Sequence, residues 1–136
     1  MSIDAARTGR RRALFALTTA GVLACVRPAA GSEQRFPDVV AVKVRPAGPD
    51  AFDFDVTISS PYDTPRRYAD GFRVKTLGGE VLGERKLLHD HQDEQPFTRD
   101  LYSVKMPRAV KTVVVEARDR KYGYGGKAME VALPGR

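Results

Sequence analysis

Ala51-Phe52-Asp53-Phe54-Asp55-Val56-Thr57-Ile58-Ser59 alternates apolar and polar side chains, and no other stretch of the chain does so as cleanly. A period of two places Phe52, Phe54, Val56 and Ile58 on one face of a β-strand and Asp53, Asp55, Thr57 and Ser59 on the other. A slip of one residue would drive two aspartates into the core, so the register of this central strand is firmly specified. The same period recurs on both sides of it. Upstream, Val40, Val42 and Val44 alternate with Ala41, Lys43 and Arg45 as a first strand. Pro46-Ala47-Gly48-Pro49-Asp50 ends that ladder, because proline lacks an amide hydrogen and glycine opens unusual dihedrals.

Downstream, Phe72 and Val74 begin a third strand, Leu77-Gly78-Gly79-Glu80 makes a tight turn, and residues 81–88 return as a fourth strand in a hairpin. Phe97, Leu101 and Val104 mark a fifth, whose alternation slips between Arg99 and Leu101 and so predicts a bulge there. Residues 112–118 form the sixth strand and residues 127–133 the seventh, paired with each other across a glycine-rich turn at residues 119–126. No helical period is sustained and no internal repeat occurs. The expected fold is all-β: a single seven-stranded immunoglobulin/fibronectin III-like sandwich, with a small barrel as the alternative.

The first 30 residues stand outside this pattern. Arg7, Arg10, Arg11 and Arg12 precede an uncharged apolar run at residues 13–26, and small residues follow Arg27, which is the pattern of a signal peptide. The run is shorter than the roughly 20 residues a membrane span needs. We therefore expect a signal peptide at residues 1–30, cut after Ala30 or Gly31, a linker at residues 31–36, and the sandwich domain at residues 37–136. Arg11-Arg12-Ala13-Leu14-Phe15 fits either a twin-arginine signal or an ordinary secretory leader with a basic end. Cys25, the one cysteine, follows Val22-Leu23-Ala24 in a loose match to the box at which lipoproteins are cut and acylated, so it is either a lipid anchor or discarded with the leader.

Beyond the leader there is no cysteine, so no disulfide can staple the domain and about a hundred residues must rely on one apolar core. Cysteine and tryptophan hallmarks of antibody domains are excluded. Of 23 basic and 17 acidic side chains, five and one fall in the leader, which leaves 18 against 16. So small an excess gives little support to nucleic-acid binding.

Several stretches of the domain carry a family resemblance. Ala69-Asp70-Gly71-Phe72-Arg73-Val74, Val81-Leu82-Gly83-Glu84-Arg85, His89-Asp90-His91, Glu94-Gln95-Pro96-Phe97-Thr98-Arg99, Val115-Glu116-Ala117-Arg118-Asp119 and Gly123-Tyr124-Gly125-Gly126-Lys127 resemble a group of small exported bacterial proteins of uncharacterised function. The resemblance covers most of the chain after the leader. It implies an exported sandwich domain and no particular activity.

In a sandwich of the usual strand order, the connections after strands two, four and six emerge at one end. Residues 60–68, 89–96 and 119–126 would then form one pole, where rigid sandwiches commonly place binding. His89 and His91, the only histidines, stand two apart and so leave an extended chain on the same side, with Asp93 or Glu94 able to add an oxygen ligand. Zinc or copper would suit those donors. The plainer reading is a pair of solvated loop histidines bonded to nearby carboxylates. Arg66 and Arg67, beside Tyr62, have the forked donors to grip an anion, or else they are ordinary loop charges. Tyr122 and Tyr124 offer flat faces for a sugar ring or a partner side chain, within a turn whose glycines serve positive-φ positions. The glycine run fails as a phosphate loop on spacing, and no serine, cysteine or carboxylate set forms a recognisable catalytic group. The leading expectation is a small exported binding or accessory module, periplasmic or secreted, contacting an envelope protein or small ligand through the loop pole. It carries no cofactor and meets the membrane only if lipidated at Cys25. Metal binding at His89 and His91 and carbohydrate binding are the alternatives.

Overall fold

The computed structural model describes residues 33–136. The expected leader, with Cys25, lies outside the described residues. Eight strands and no helix make up the described chain. They are β1 (Asp38–Pro46), β2 (Ala51–Ser59), β3 (Ala69–Thr76), β4 (Val81–Lys86), β5 (Phe97–Lys105), β6 (Thr112–Asp119), β7 (Gly123–Tyr124) and β8 (Met129–Ala132). One antiparallel sheet runs β1-β2-β5; the other runs β4-β3-β6, with β7 and β8 both paired to the far side of β6. This is the two-layer arrangement of a β-sandwich.

The core forms where the inward faces meet. Phe52, Phe54, Val56 and Ile58 from β2 meet Phe72 and Val74 from β3 and Val113, Val115 and Ala117 from β6, all buried. Each phenylalanine or branched aliphatic side chain so buried contributes about 1.5–3 kcal/mol. The alternation that specified β2 is present in full, since every odd residue from Ala51 to Ser59 is more exposed than its even neighbours.

Four local departures from the sequence pattern have physical causes. The eighth strand is β7, two residues inside the expected turn; β8 covers only residues Thr112 to Val115 of β6, which leaves Arg118 and Asp119 to pair with Tyr124 and Gly123. In β1 the register shifts between Val39 and Ala41, so Val39 is 4% exposed and Val40, expected in the core, is 46% exposed. A bulge shifts the inward face by one residue, and Val42 and Val44 return to the core beyond it. In β5 the bulge comes later than the alternation suggests, at Tyr102 and Ser103. Phe54 faces Leu101 and Phe52 faces Val104, with Ser103 at φ 56° and its amide donating to Asp53 Oδ1 at 2.8 Å. Finally, β4 stops at Lys86: Leu87 turns into the core while Leu88 is 83% exposed.

The lateral edges of the two sheets also meet. Arg85, on edge strand β4, donates to both the carbonyl and the carboxylate of Asp100 on edge strand β5. A fixed charge across unpaired backbone is a common way to blunt strand-to-strand association.

Candidate functional site

Two buried carboxylates organise the pole where the connections after β2, β4 and β6 gather. Asp63 accepts the amides of Ala69 and His91, both at 3.0 Å, and so ties the β2–β3 connection to the β4–β5 connection. The Gln95 carboxamide adds a second tie: it accepts from the Ser60 amide at 2.7 Å and donates to the His91 carbonyl at 2.9 Å. Asp119, fully buried at the end of β6, accepts the amides of Lys121 and Tyr122, both at 2.8 Å, and folds the third connection back on itself. Arg67 Nε lies 3.3 Å from the same carboxylate and joins the first connection to the third.

The pole therefore brings the expected loops together, and its interior is committed to holding them. Arg67 is flanked by the rings of Tyr62 and Tyr122, at 4.1 and 4.9 Å, and also donates to the Arg35 carbonyl at 2.6 Å. Arg66, its sequence neighbour, is exposed. Burial, reinforced by the neighbouring Asp119 carboxylate, pushes the Tyr62 phenol up and keeps it neutral. Tyr122 is exposed and packs edge-on against Phe36. Tyr122 and Tyr124 have different partners: Tyr124 lies beneath Arg73, 3.8 Å from the ring centre, on the outer face of the larger sheet.

Of the four expected metal-site residues, the two histidines stay together, with ring centres 4.8 Å apart. His91 is buried, stacked on Phe97 at 3.8 Å and 10°, while His89 is exposed and donates from Nδ1 to the Asp90 carbonyl at 2.8 Å. Burial first, then the charge of Arg99, lowers the affinity of His91 for a proton. Glu94 is taken by Arg99 at 2.9 Å, whose hydrogen bond holds its carboxyl below the usual range. Asp93 is exposed. Among the described residues no group of three or more histidine, cysteine or acidic side chains is placed to hold a metal ion.

A depression lies beside this pole, on the solvent face of the larger sheet. Strand register builds it: Lys86 faces Gly71, Gly71 faces Arg118, and Arg118 faces Tyr124, so one cross-strand row runs through all four strands. Residues opposite each other on one face are side-chain neighbours. Gly71 has no side chain to fill the middle, and a Cβ there would stand 2.8 Å from the Arg85 carbonyl oxygen. The result is a groove of about 540 Å³ with Gly71 as its floor. Glu84 and Arg73 form the next row, and Tyr68, Leu88 and Arg120 close the end nearest the pole.

Five cationic side chains line the groove against two carboxylates, Asp70 and Glu84. Arg118 is paired with Asp70, Arg73 with Glu116 and Arg85 with Asp100. Lys86 and Arg120 have no ion-pair partner among the described residues. Burial raises the Tyr124 phenol, so it enters the groove as a neutral ring with a hydroxyl tip. Of the groove residues, sequence reasoning singled out Tyr124 alone. Arg73 and Arg118 read as ordinary outward positions of alternating strands, and nothing local says that three such strands place them around one glycine.

Fold and site together describe an all-β domain of two antiparallel sheets, with a cation-rich, tyrosine-edged groove on one outer face. The chain is 43% identical over 94 residues to a protein of Halomicrobium mukohataei named "Putative lipoprotein". The match takes in 69% of this chain and 46% of that protein, so the chain spans about half the length of its relative. No family model and no solved structure matches the chain.

Proposed function

We propose that the domain is an exported binding module of the cell envelope that takes an anionic ligand in the groove between β4 and β7. The observation that carries this reading is the row Lys86-Gly71-Arg118-Tyr124: a gap at its centre, cations on both sides and an aromatic face at its end. Guanidinium and ammonium groups at a partly dry surface favour carboxylate, sulfate or phosphate, and Lys86 and Arg120 are not neutralised from within. Tyr68 and Tyr124 add flat faces for the uncharged part of such a ligand. The volume falls in the range of small-molecule sites, about 300–1,000 Å³.

Export is supported by the arginine-led apolar leader and by the name of the Halomicrobium protein. That name also supports acylation at Cys25 over loss of the cysteine with the leader, and mass determination of the native amino terminus tests it. The division of strands supports a fibronectin III-like variant of the sandwich. The fourth strand stays beside the third, whereas constant-type immunoglobulin domains place it beside the fifth.

The ligand reading is tested by calorimetry with acidic oligosaccharides and acidic peptides beside their neutral counterparts. Acidic probes should bind, binding should weaken as salt rises, and the double change Lys86→Gln with Arg120→Gln should lower affinity at least tenfold at an unmoved melting temperature. Equal binding of neutral probes would overturn the reading. So would full binding by the groove variant together with its loss in Tyr122→Ala, which would move the site to the pole.

A further inference from the structure

On the other side of the end of β4 lies a second, smaller cleft of about 180 Å³. Its charged lining is Arg85, Lys86 and Arg99, with the rings of His89 and His91, and it contains no carboxylate. Asp100 and Glu94 instead hold the two arginines from outside the cleft, which sets their forks in place. His91 lines it while only 3% exposed, and neither ring nitrogen has a hydrogen-bond partner. Asp63 does not supply one: its Oδ2 is 3.9 Å from Nδ1 and already accepts the His91 amide. Buried polar atoms in folded proteins are nearly always bonded, so two such atoms on one ring beside a cleft point to an absent partner.

We propose that this cleft is a second binding site, taking one oxyanion group of a small ligand, with Arg85, Lys86 and Arg99 supplying charge and the His91 imidazole a buried hydrogen-bond donor. The cleft shares Arg85, Lys86, Leu87 and Leu88 with the larger groove and is set apart from it by Arg99 and the two histidines, none of which lines the groove. A neutral imidazole carries one N–H and one lone pair, and can present the N–H to the cleft. Three lining cations oppose a divalent metal ion at the same place, which is why the two histidines favour an anion here. The space holds a carboxylate or phosphate with a few waters and is below the size of drug-like sites. Leu88, strongly exposed at the rim, is placed to meet a short apolar stem.

Because the chain has only two histidines, ring-nitrogen NMR of the full chain reads this site directly. Acetate, phosphate, sulfate and zinc are titrated separately at constant pH and ionic strength, with chloride as the control. Saturable displacement of the His91 ring signals by an oxyanion is expected, and whichever anion saturates at lowest concentration identifies the group. Arg99→Gln should weaken that response about tenfold, and Lys86→Gln, on an exposed side chain that also lines the groove, serves where Arg99→Gln disturbs folding, because the His91 ring signals report the cleft and not the groove. Tyr124→Ala should leave the response intact even if it abolishes binding in the groove. Shifts that follow chloride without saturating would overturn the proposal, as would a saturable response to zinc with none to any oxyanion.

Discussion

Replacing Asp63 by alanine is the sharpest test of how the pole is held. The carboxylate is 1% exposed and accepts two backbone amides, Ala69 at the start of β3 and His91 in the β4–β5 connection. Hydrogen bonds to a charged acceptor contribute about 1.5–3 kcal/mol each, and stranding a buried donor costs about 1–3 kcal/mol. Some of this is recovered if water enters the space left behind, so Asp63→Ala should destabilise by about 3 kcal/mol. A domain of this size has about 5–15 kcal/mol in total, so the variant should still fold. With a urea m value of about 1.5 kcal/mol/M, the midpoint should fall by about 2 M at unchanged m. Asp63→Asn keeps one acceptor and should lose about half as much. The His91 ring signals should move in both variants, because the amide that anchors the residue is released or weakened. A midpoint within about 0.3 M of the parent protein for Asp63→Ala would refute the view that this carboxylate ties the two connections together.

Gly126 should be as intolerant as Asp63, for a steric reason: an added Cβ would lie 2.0 Å from the Pro37 carbonyl oxygen. Gly126→Ala should cost about 1–3 kcal/mol and lower the melting temperature by about 10 °C, whereas Gly78→Ala, whose Cβ would meet only Thr76 Oγ1 at 3.7 Å, should leave it nearly unchanged. Acid should weaken the fold through His91. Its folded proton affinity is lowered, chiefly by burial, while the unfolded chain titrates near 6.5, so below about that pH the unfolded state binds more protons. Stability should be full above about pH 7 and fall as pH drops through about 6.5; denaturation midpoints from pH 7 to 5 should show this slope, and His91→Gln should flatten it. Removing the aromatic edge of the groove should act on binding: Tyr124→Ala should weaken an acidic probe that also contacts the ring, by about 0.5–2 kcal/mol in calorimetry, without altering the His91 response.

The loop pole and the larger groove stood at different distances from the sequence. Gathering of the three connections at one end followed from strand count and order, and the structure shows it in the contacts of Asp63 with His91, Gln95 with Ser60 and Arg67 with Asp119. What the pole residues do there did not follow. Arg66 and Arg67 were read as a forked grip on an anion or as ordinary loop charges, and in the structure Arg67 lies between two tyrosines against a buried carboxylate. Neither aspartate was singled out as a structural acceptor: Asp119, which bonds amides two and three residues on, follows a familiar turn-forming pattern, whereas the amides that Asp63 accepts lie six and 28 positions away and leave no local signal.

Alternation is a local property, and it was enough by itself to determine an all-β chain, the central strand β2, the β3–β4 hairpin and the pairing of the last strand with β6. Local alternation also names two faces for each strand. It does not say which neighbour opposes which residue, and that is set only when strands pair. Tertiary structure therefore decided that a bulge moves Val40 outward, that β6 has length to spare for β7, and that Lys86, Gly71, Arg118 and Tyr124 share one row. The groove exists because of that register: the members of the row are separated by up to 53 positions in the chain and become neighbours through backbone hydrogen bonds that none of them makes with its side chain.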